Sequence, residues 1–144
     1  MSQVRFNHAD VKQLSFKNKK FIKEIVVRIF LDEAKKVNKI NYIFCSDTYL
    51  LEINKKYLTH NFFTDIISFD LSEGEAVTGE IYISIDRVKE NAIIHSASFR
   101  KELLRVIFHG VLHLCGYKDK KKSEITLMRK KEDYYLQLIE EKLQ

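Results

Sequence analysis

The segment from Phe99 to Cys115 limits the fold of this chain more than any other. Placed on a helical wheel with His109 at zero, His113 falls at about +40°, Arg105 at about −40° and Glu102 at about +20°. Apart from Gly110, every other position from Leu103 to Cys115 is apolar. Such a helix is buried on almost every side and keeps one narrow polar stripe, so the other elements must enclose it. The stripe itself carries two imidazoles one turn apart, which can meet a common ion.

The remaining sequence supplies the enclosing elements. Its 144 residues, 45% of them hydrophobic, suit one domain with a real core. Phe21, Ile22, Ile25, Val26, Ile29, Phe30, Ala34 and Val37 recur at helical spacing and predict a helix of about five turns. Residues 47–58 also read as a helix, with Ser46 or Asp47 as N-cap, and further helices are predicted over 86–97 and 123–143. Strands are predicted over 3–6, 40–45, 66–71 and 80–85, the last with Ile81, Ile83 and Ile85 on one face and Tyr82 and Ser84 on the other. A turn containing Gly74 joins the last two. Helices and strands mix without a regular βαβ rhythm. The expectation is therefore a single α+β domain over 1–144, with a small sheet of about four strands covered by helices.

Composition excludes several classes. No apolar run approaches the roughly 18 residues of a membrane span. Met1 to His8 lack the apolar core of a signal peptide. The two cysteines, Cys45 and Cys115, have no disulfide-like spacing, and a reducing, cytoplasmic location is expected. The net charge is +5, and residues 118–131 alone hold seven Lys and Arg against Asp119 and Glu124. A second group, Lys17, Lys19, Lys20 and Lys23, opens the first long helix. Runs of this kind are commonly solvated surface, and they also suit a polyanionic partner.

Glycine is scarce, with four in the chain and no proline, so Gly110 and Gly116 carry information. Gly110 interrupts a helix interior at a cost of about 1 kcal/mol relative to Ala, which signals close approach by another backbone or a ligand. Gly116 suits a left-handed cap that stops the helix. Asp119, three residues on, could then return to the two histidines. His109, His113 and Asp119 would offer two nitrogens and one oxygen, with a fourth position open as in a catalytic zinc site. This spacing is similar to the metzincin peptidase arrangement, with Asp in place of its third His. The residue after the first His is Gly110, however, where that peptidase carries its general-base Glu, and this argues against peptide hydrolysis. Cys115 lies at about −120° on the wheel and faces the core. His8, His60 and His95 are isolated, and surface or core roles are their default.

His109-Gly-Val-Leu-His-Leu-Cys-Gly-Tyr117 resembles the signature of the YbeY family of metal-dependent endoribonucleases. Asn54-Lys-Lys-Tyr57 resembles that family's Asn-x-x-Tyr, and Thr64-Asp-Ile-Ile-Ser-Phe69 its Thr-Asp-Val-Leu-Ser-Phe strand. Gly79-Glu-Ile-Tyr-Ile-Ser84 is similar to its Gly-Asp-Ile-x-Ile-Ser strand. Ser98-Phe99 sits where the signature helix begins, and Met128-Arg129 resembles part of the last helix. The resemblance runs from Asn54 to the C-terminus. It implies an α+β fold with a mixed sheet and a zincin-like metal-site helix. It also implies zinc, or another divalent transition metal, held at a catalytic centre of His109, His113 and Asp119. The implied activity is cleavage of single-stranded RNA in ribosomal RNA maturation, at the 3′ end of the small-subunit RNA, and in ribosome quality control. The small ribosomal subunit is the implied partner.

Three positions depart from the family pattern. Tyr117-Lys118-Asp119 stands for Tyr-Asp-His, so the third ligand would be a carboxylate. Leu58 replaces an arginine proposed to engage RNA phosphate, with Lys55, Lys56 and His60 as nearby candidates for that role. Glu80 replaces an Asp. Further candidates for substrate contact are Arg105, which could instead pair with Glu102, and Ser68 and Asp65, which could instead belong to a strand hydrogen-bond network. Lys118 and Lys120 belong to the basic segment that would hold phosphates near the site, and Met128 is expected to pack beneath it. Two rival readings are a non-catalytic ribosome- or RNA-binding factor with a structural metal, and a metallopeptidase.

Overall fold

A computed structural model describes residues 3–144, whose elements run β1 (Val4–His8), α1 (Lys19–Asp32), β2 (Val37–Cys45), α2 (Asp47–Leu58), β3 (Ile66–Asp70), β4 (Val77–Ser84), α3 (Ile85–Ile94), α4 (Phe99–Leu114) and α5 (Lys122–Lys142). Met1 and Ser2, the start of the stretch screened for a leader, lie outside the described residues. The four strands form one mixed sheet in the order β1-β2-β4-β3. β1, β2 and β4 run parallel, and β3 pairs antiparallel with β4 at the edge.

Alternation assigns the two faces of the sheet. Ile40, Tyr42 and Phe44 of β2, with Ile81 and Ile83 of β4, are fully buried in the main core shared with α1, α4 and α5. The register sets Tyr42 beside Ile81 and Phe44 beside Ile83. On the other face, Cys45, Leu50 and Ile67 form a smaller cluster with Ile53, Phe69 and Tyr82, covered by α2. The alternation of Ile81 and Ile83 against Tyr82 is therefore a division between two cores.

Several boundaries shift from those predicted, each for a physical reason. Helix α1 stops at Asp32 instead of continuing to Val37, because Ala34 takes a positive φ of 55° and Lys35 N–H donates back to Phe30 O at 2.9 Å. Val37 is then freed to open β2 opposite Val77. Pairing with β2 also starts β4 at Val77 rather than Glu80. Ile85 begins α3 rather than ending a strand, since the Ser84 hydroxyl accepts from Arg87 N–H as an N-cap. Helix α3 ends at Ile94, where Ser96 turns the chain with φ 51°.

Helix α4 lies on the sheet as its apolar surround requires, with Leu103, Val106, Ile107, Phe108, Val111 and Leu112 all buried. The Tyr42 hydroxyl, itself buried, donates to Ile107 O at 2.7 Å and pins the helix to β2. At Gly110 a Cβ would lie 2.9 Å from both Ile66 Cδ1 and Ile81 Cγ2. The close approach inferred from Gly110 is thus made by isoleucine side chains of β3 and β4, not by a backbone or a ligand. The polar stripe of α4 emerges at the open edge between β3 and α5.

Candidate metal centre

Helical spacing sets His109 and His113 edge to face, with ring centroids 4.4 Å apart. The helix then ends in a double hydrogen bond: Gly116 N–H donates to His113 O at 3.0 Å and Tyr117 N–H to Leu112 O at 3.1 Å. Gly116 takes φ 107°, which strains any residue with a Cβ. This turn brings Asp119 back across the end of α4. Its Oδ2 lies 3.2 Å from His109 Nε2 and 3.2 Å from His113 Nε2.

The opposite edge of each ring is also held. Tyr117 O lies 2.8 Å from His113 Nδ1. A carbonyl oxygen only accepts, so Nδ1 of His113 carries the proton and donates it. Glu132 Oε2 lies 2.6 Å from His109 Nδ1, and Glu132 Oε1 accepts from Arg105 at 2.9 Å. The same guanidinium reaches Asp133 at 2.7 Å. Tyr117 is fixed in turn by its hydroxyl, which donates to Glu33 at 3.0 Å. With Nδ1 protonated on both rings, the two Nε2 lone pairs point at one carboxylate oxygen. That arrangement is repulsive unless a proton or a cation lies between them. Burial opposes charge on the His109 ring, but Glu132, Asp119 and Asp65 outweigh it and hold its pKa above the ordinary value. The surroundings of His109 therefore favour positive charge.

The donor atoms of His109, His113 and Asp119 all lie within 4.8 Å of one another, so the three could hold a metal ion. Two imidazole nitrogens and a carboxylate suit zinc and also fit iron, nickel or manganese. Hydrogen bonds from the far ring nitrogens are the usual way a protein orients such ligands.

Two hollows flank the cluster, and His109 and Asp119 line both. One, of about 260 Å³, is walled by Asp65, Asn91, His95, Glu102, Arg105 and Glu132, with Met128 beneath it. The other is a groove of about 520 Å³ bounded by Leu58, His60, Phe62, Ser68, His113 and Lys120. Asp65 lines both, and burial pushes its carboxyl up while His109 pulls it down. The Ser68 hydroxyl is buried with no hydrogen-bond partner among the described residues.

Other predicted residues are placed differently. Arg105 does not pair with Glu102, because its fork reaches across to α5; Glu102 instead lies 3.4 Å from His95. Lys55 pairs with Glu52 at 3.6 Å. Lys56 lies over the Tyr57 ring and lines a groove on the α2 face, together with Glu80 and Tyr82. Neither lysine lines the groove beside His113, whereas Leu58 and His60 do. Lys118 and Lys120 are exposed on either side of Asp119. Cys115 packs against the main core, and burial pushes its thiol up to about 12.

Sequence reasoning missed Glu132. A signal was present: Met128, Glu132, Tyr135, Leu136 and Ile139 are the buried stripe of α5, and one member is a carboxylate. A charge on an apolar stripe demands a partner, and here the partners are Arg105 and His109.

Comparison with known proteins identifies the family of the chain. The model of a family described as endoribonuclease YbeY matches residues 3–140. A Flavobacterium psychrophilum protein named endoribonuclease YbeY is 56% identical over 113 residues, covering 78% of this chain and 81% of that protein. Its Flavobacterium johnsoniae counterpart is 44% identical over 130 residues, covering 90% and 92%. The solution structure of TM1509 from Thermotoga maritima matches with a TM-score of 0.64 at 31% identity, over 94% of this chain and 88% of that one. By sequence along nearly its whole length, this chain belongs to the endoribonuclease YbeY family.

Proposed function

We propose that the chain, as a single domain over residues 1–144, is a metal-dependent endoribonuclease cutting single-stranded RNA, with zinc held by His109, His113 and Asp119. The observation that carries this reading is the convergence of two Nε2 atoms on Asp119 Oδ2, with both Nδ1 atoms already committed, in a chain of this family. A divalent cation bound there supplies a Lewis acid for a phosphodiester oxygen. Glu132 and Tyr117 O keep the ring protons on Nδ1, so both Nε2 atoms stay available as ligands. Arg105 neutralises Glu132 and holds it in place, acting on the centre through that carboxylate. Lys118 and Lys120 draw phosphates toward the groove, and Asp65 and Ser68 shape its floor. Gly110 stands where a peptidase has its general base, but RNA carries its own 2′-hydroxyl and asks less of a protein base.

The cellular role that goes with this reading is maturation of the 3′ end of small-subunit ribosomal RNA, together with ribosome quality control, in the cytoplasm and on the small subunit. No helix among the described residues is long and apolar enough to cross a membrane.

Elemental analysis beside cleavage of a single-stranded oligoribonucleotide tests the proposal. Wild type should hold about one equivalent of zinc and cut, and folded His113→Ala and Asp119→Ala should lose both. Cutting by a folded, metal-free His113→Ala would sink the metal reading. A wild type that binds zinc and RNA but never cuts would leave a binding factor with a structural metal.

A further inference from the structure

The loop joining α2 to β3 carries two aromatic rings to the rim of the groove that holds His113 and Asp119. Thr59 leaves α2 in the left-handed region with φ 54°, and His60 N–H donates to Asn54 O at 3.1 Å. The Asn54 side chain, 1% exposed, donates to Phe62 O at 2.9 Å. The loop is therefore tied to α2 at two points. Held in this way, the His60 and Phe62 rings stack with centroids 5.0 Å apart and planes 22° from parallel. Phe62 nevertheless remains 56% exposed. Hydrophobic burial does not account for a phenyl ring fixed at the surface, and the chemistry at the metal centre makes no use of it.

Resting on the endoribonuclease reading, we propose that His60 and Phe62 form a stacking platform for one unpaired base of the RNA strand, next to the phosphate engaged at the metal centre. Three observations support RNA over other occupants. The platform lines the same groove as His109, His113 and Asp119. Lys120, in that groove, offers a cation to the neighbouring phosphate. The near-parallel rings extend naturally to a third planar ring, and every base offers a π-face, so stacking is indifferent to sequence. A base inside a duplex is already stacked and cannot reach the platform. Selection of single strands would then come from this loop as well as from groove shape.

The test uses the zinc-loaded protein and a 2′-O-methyl oligoribonucleotide, which cannot supply the 2′-hydroxyl, carrying 2-aminopurine at each position in turn. Wild type should quench the fluorophore most strongly at one position. Phe62→Leu should lose that quench and bind about five- to a hundredfold more weakly, with unchanged zinc content and melting temperature, and Phe62→Trp should restore both. An abasic site at the same position should weaken wild-type binding by a similar factor, and this arm needs no variant protein. Wild type that binds the oligonucleotide and cuts its unmodified form, with equal affinity in Phe62→Leu and no position-specific abasic effect, overturns the platform and leaves the rings to a protein partner. Wild type that neither binds nor cuts single-stranded RNA overturns the endoribonuclease reading, and the platform with it.

Discussion

Glu132 Oε2 lies 2.6 Å from His109 Nδ1, so the last helix of the chain sets the orientation of a ring on the helix before it. The Glu132 side chain is 6% exposed, and its other oxygen is held by Arg105. Removing it releases the ring and leaves the Arg105 fork with Asp133 alone.

Glu132→Ala should therefore weaken zinc binding by about 10- to 100-fold, measured by competition with a chromogenic chelator. Glu132→Gln keeps an acceptor for Nδ1 and should fall between the two. The alanine variant should also lose about 3 kcal/mol of stability through the broken buried pair. Wild-type zinc affinity in Glu132→Ala would show that His109 needs no such support.

Gly110 places α4 directly on Ile66 and Ile81, where a Cβ would stand 2.9 Å from each. Ile81 is fully buried, and its β-branched side chain cannot rotate away cheaply. Alanine gains about 1 kcal/mol of helix propensity but overpacks at a cost of about 1–3 kcal/mol. Gly110→Ala should be destabilised by about 1 kcal/mol in urea titrations. A raised denaturation midpoint would contradict the close approach.

Lys118 and Lys120 flank Asp119 and are exposed. If each neutralises a phosphate, the double variant Lys118→Ala with Lys120→Ala should lower the slope of log affinity against log salt by about 1.4, or about 0.7 per contact on a single strand. Titrations from roughly 50 to 200 mM salt measure this. An unchanged slope would assign the phosphate contacts to other cations of the basic segment.

Asp32 ties α1 to α5, accepting from the Tyr135 hydroxyl at 2.9 Å and from Arg28 at 2.8 Å. Burial raises its pKa, but these hydrogen bonds outweigh it and hold the carboxyl below the ordinary value. A depressed pKa contributes stability above the unfolded value of about 3.9, lost as pH falls through the folded value. Asp32→Asn should thus melt lower than wild type at neutral pH, with the gap closing as pH drops below about 4. A gap independent of pH would mean that the charge of Asp32 is not what stabilises.

The parts of the centre that lie within one turn of backbone were legible beforehand. The polar stripe on α4 followed from helical period alone, and so did the inward face of Ile81 and Ile83. Gly116 announced a left-handed cap, and the cap returns Asp119 to the histidines. Each depends on spacing within one short, continuous stretch of chain. The overrun of α1 shows where that logic stops. Residues 33–37 contain good helix formers and neither Gly nor Pro, and only pairing with β4 draws Val37 into a strand.

Residue spacing thus determined the α+β mixture, the buried helix with its two histidines and the carboxylate beyond its cap. Packing between elements decided which face of α2 carries Lys56 away from the groove, where the Arg105 fork lands, and that Glu132 supports His109 from 23 residues away along the chain. The physical reason is that backbone period orients side chains only relative to their own element. Partners across elements are chosen by burial, which forces a carboxylate on an apolar stripe to find charge wherever the fold supplies it.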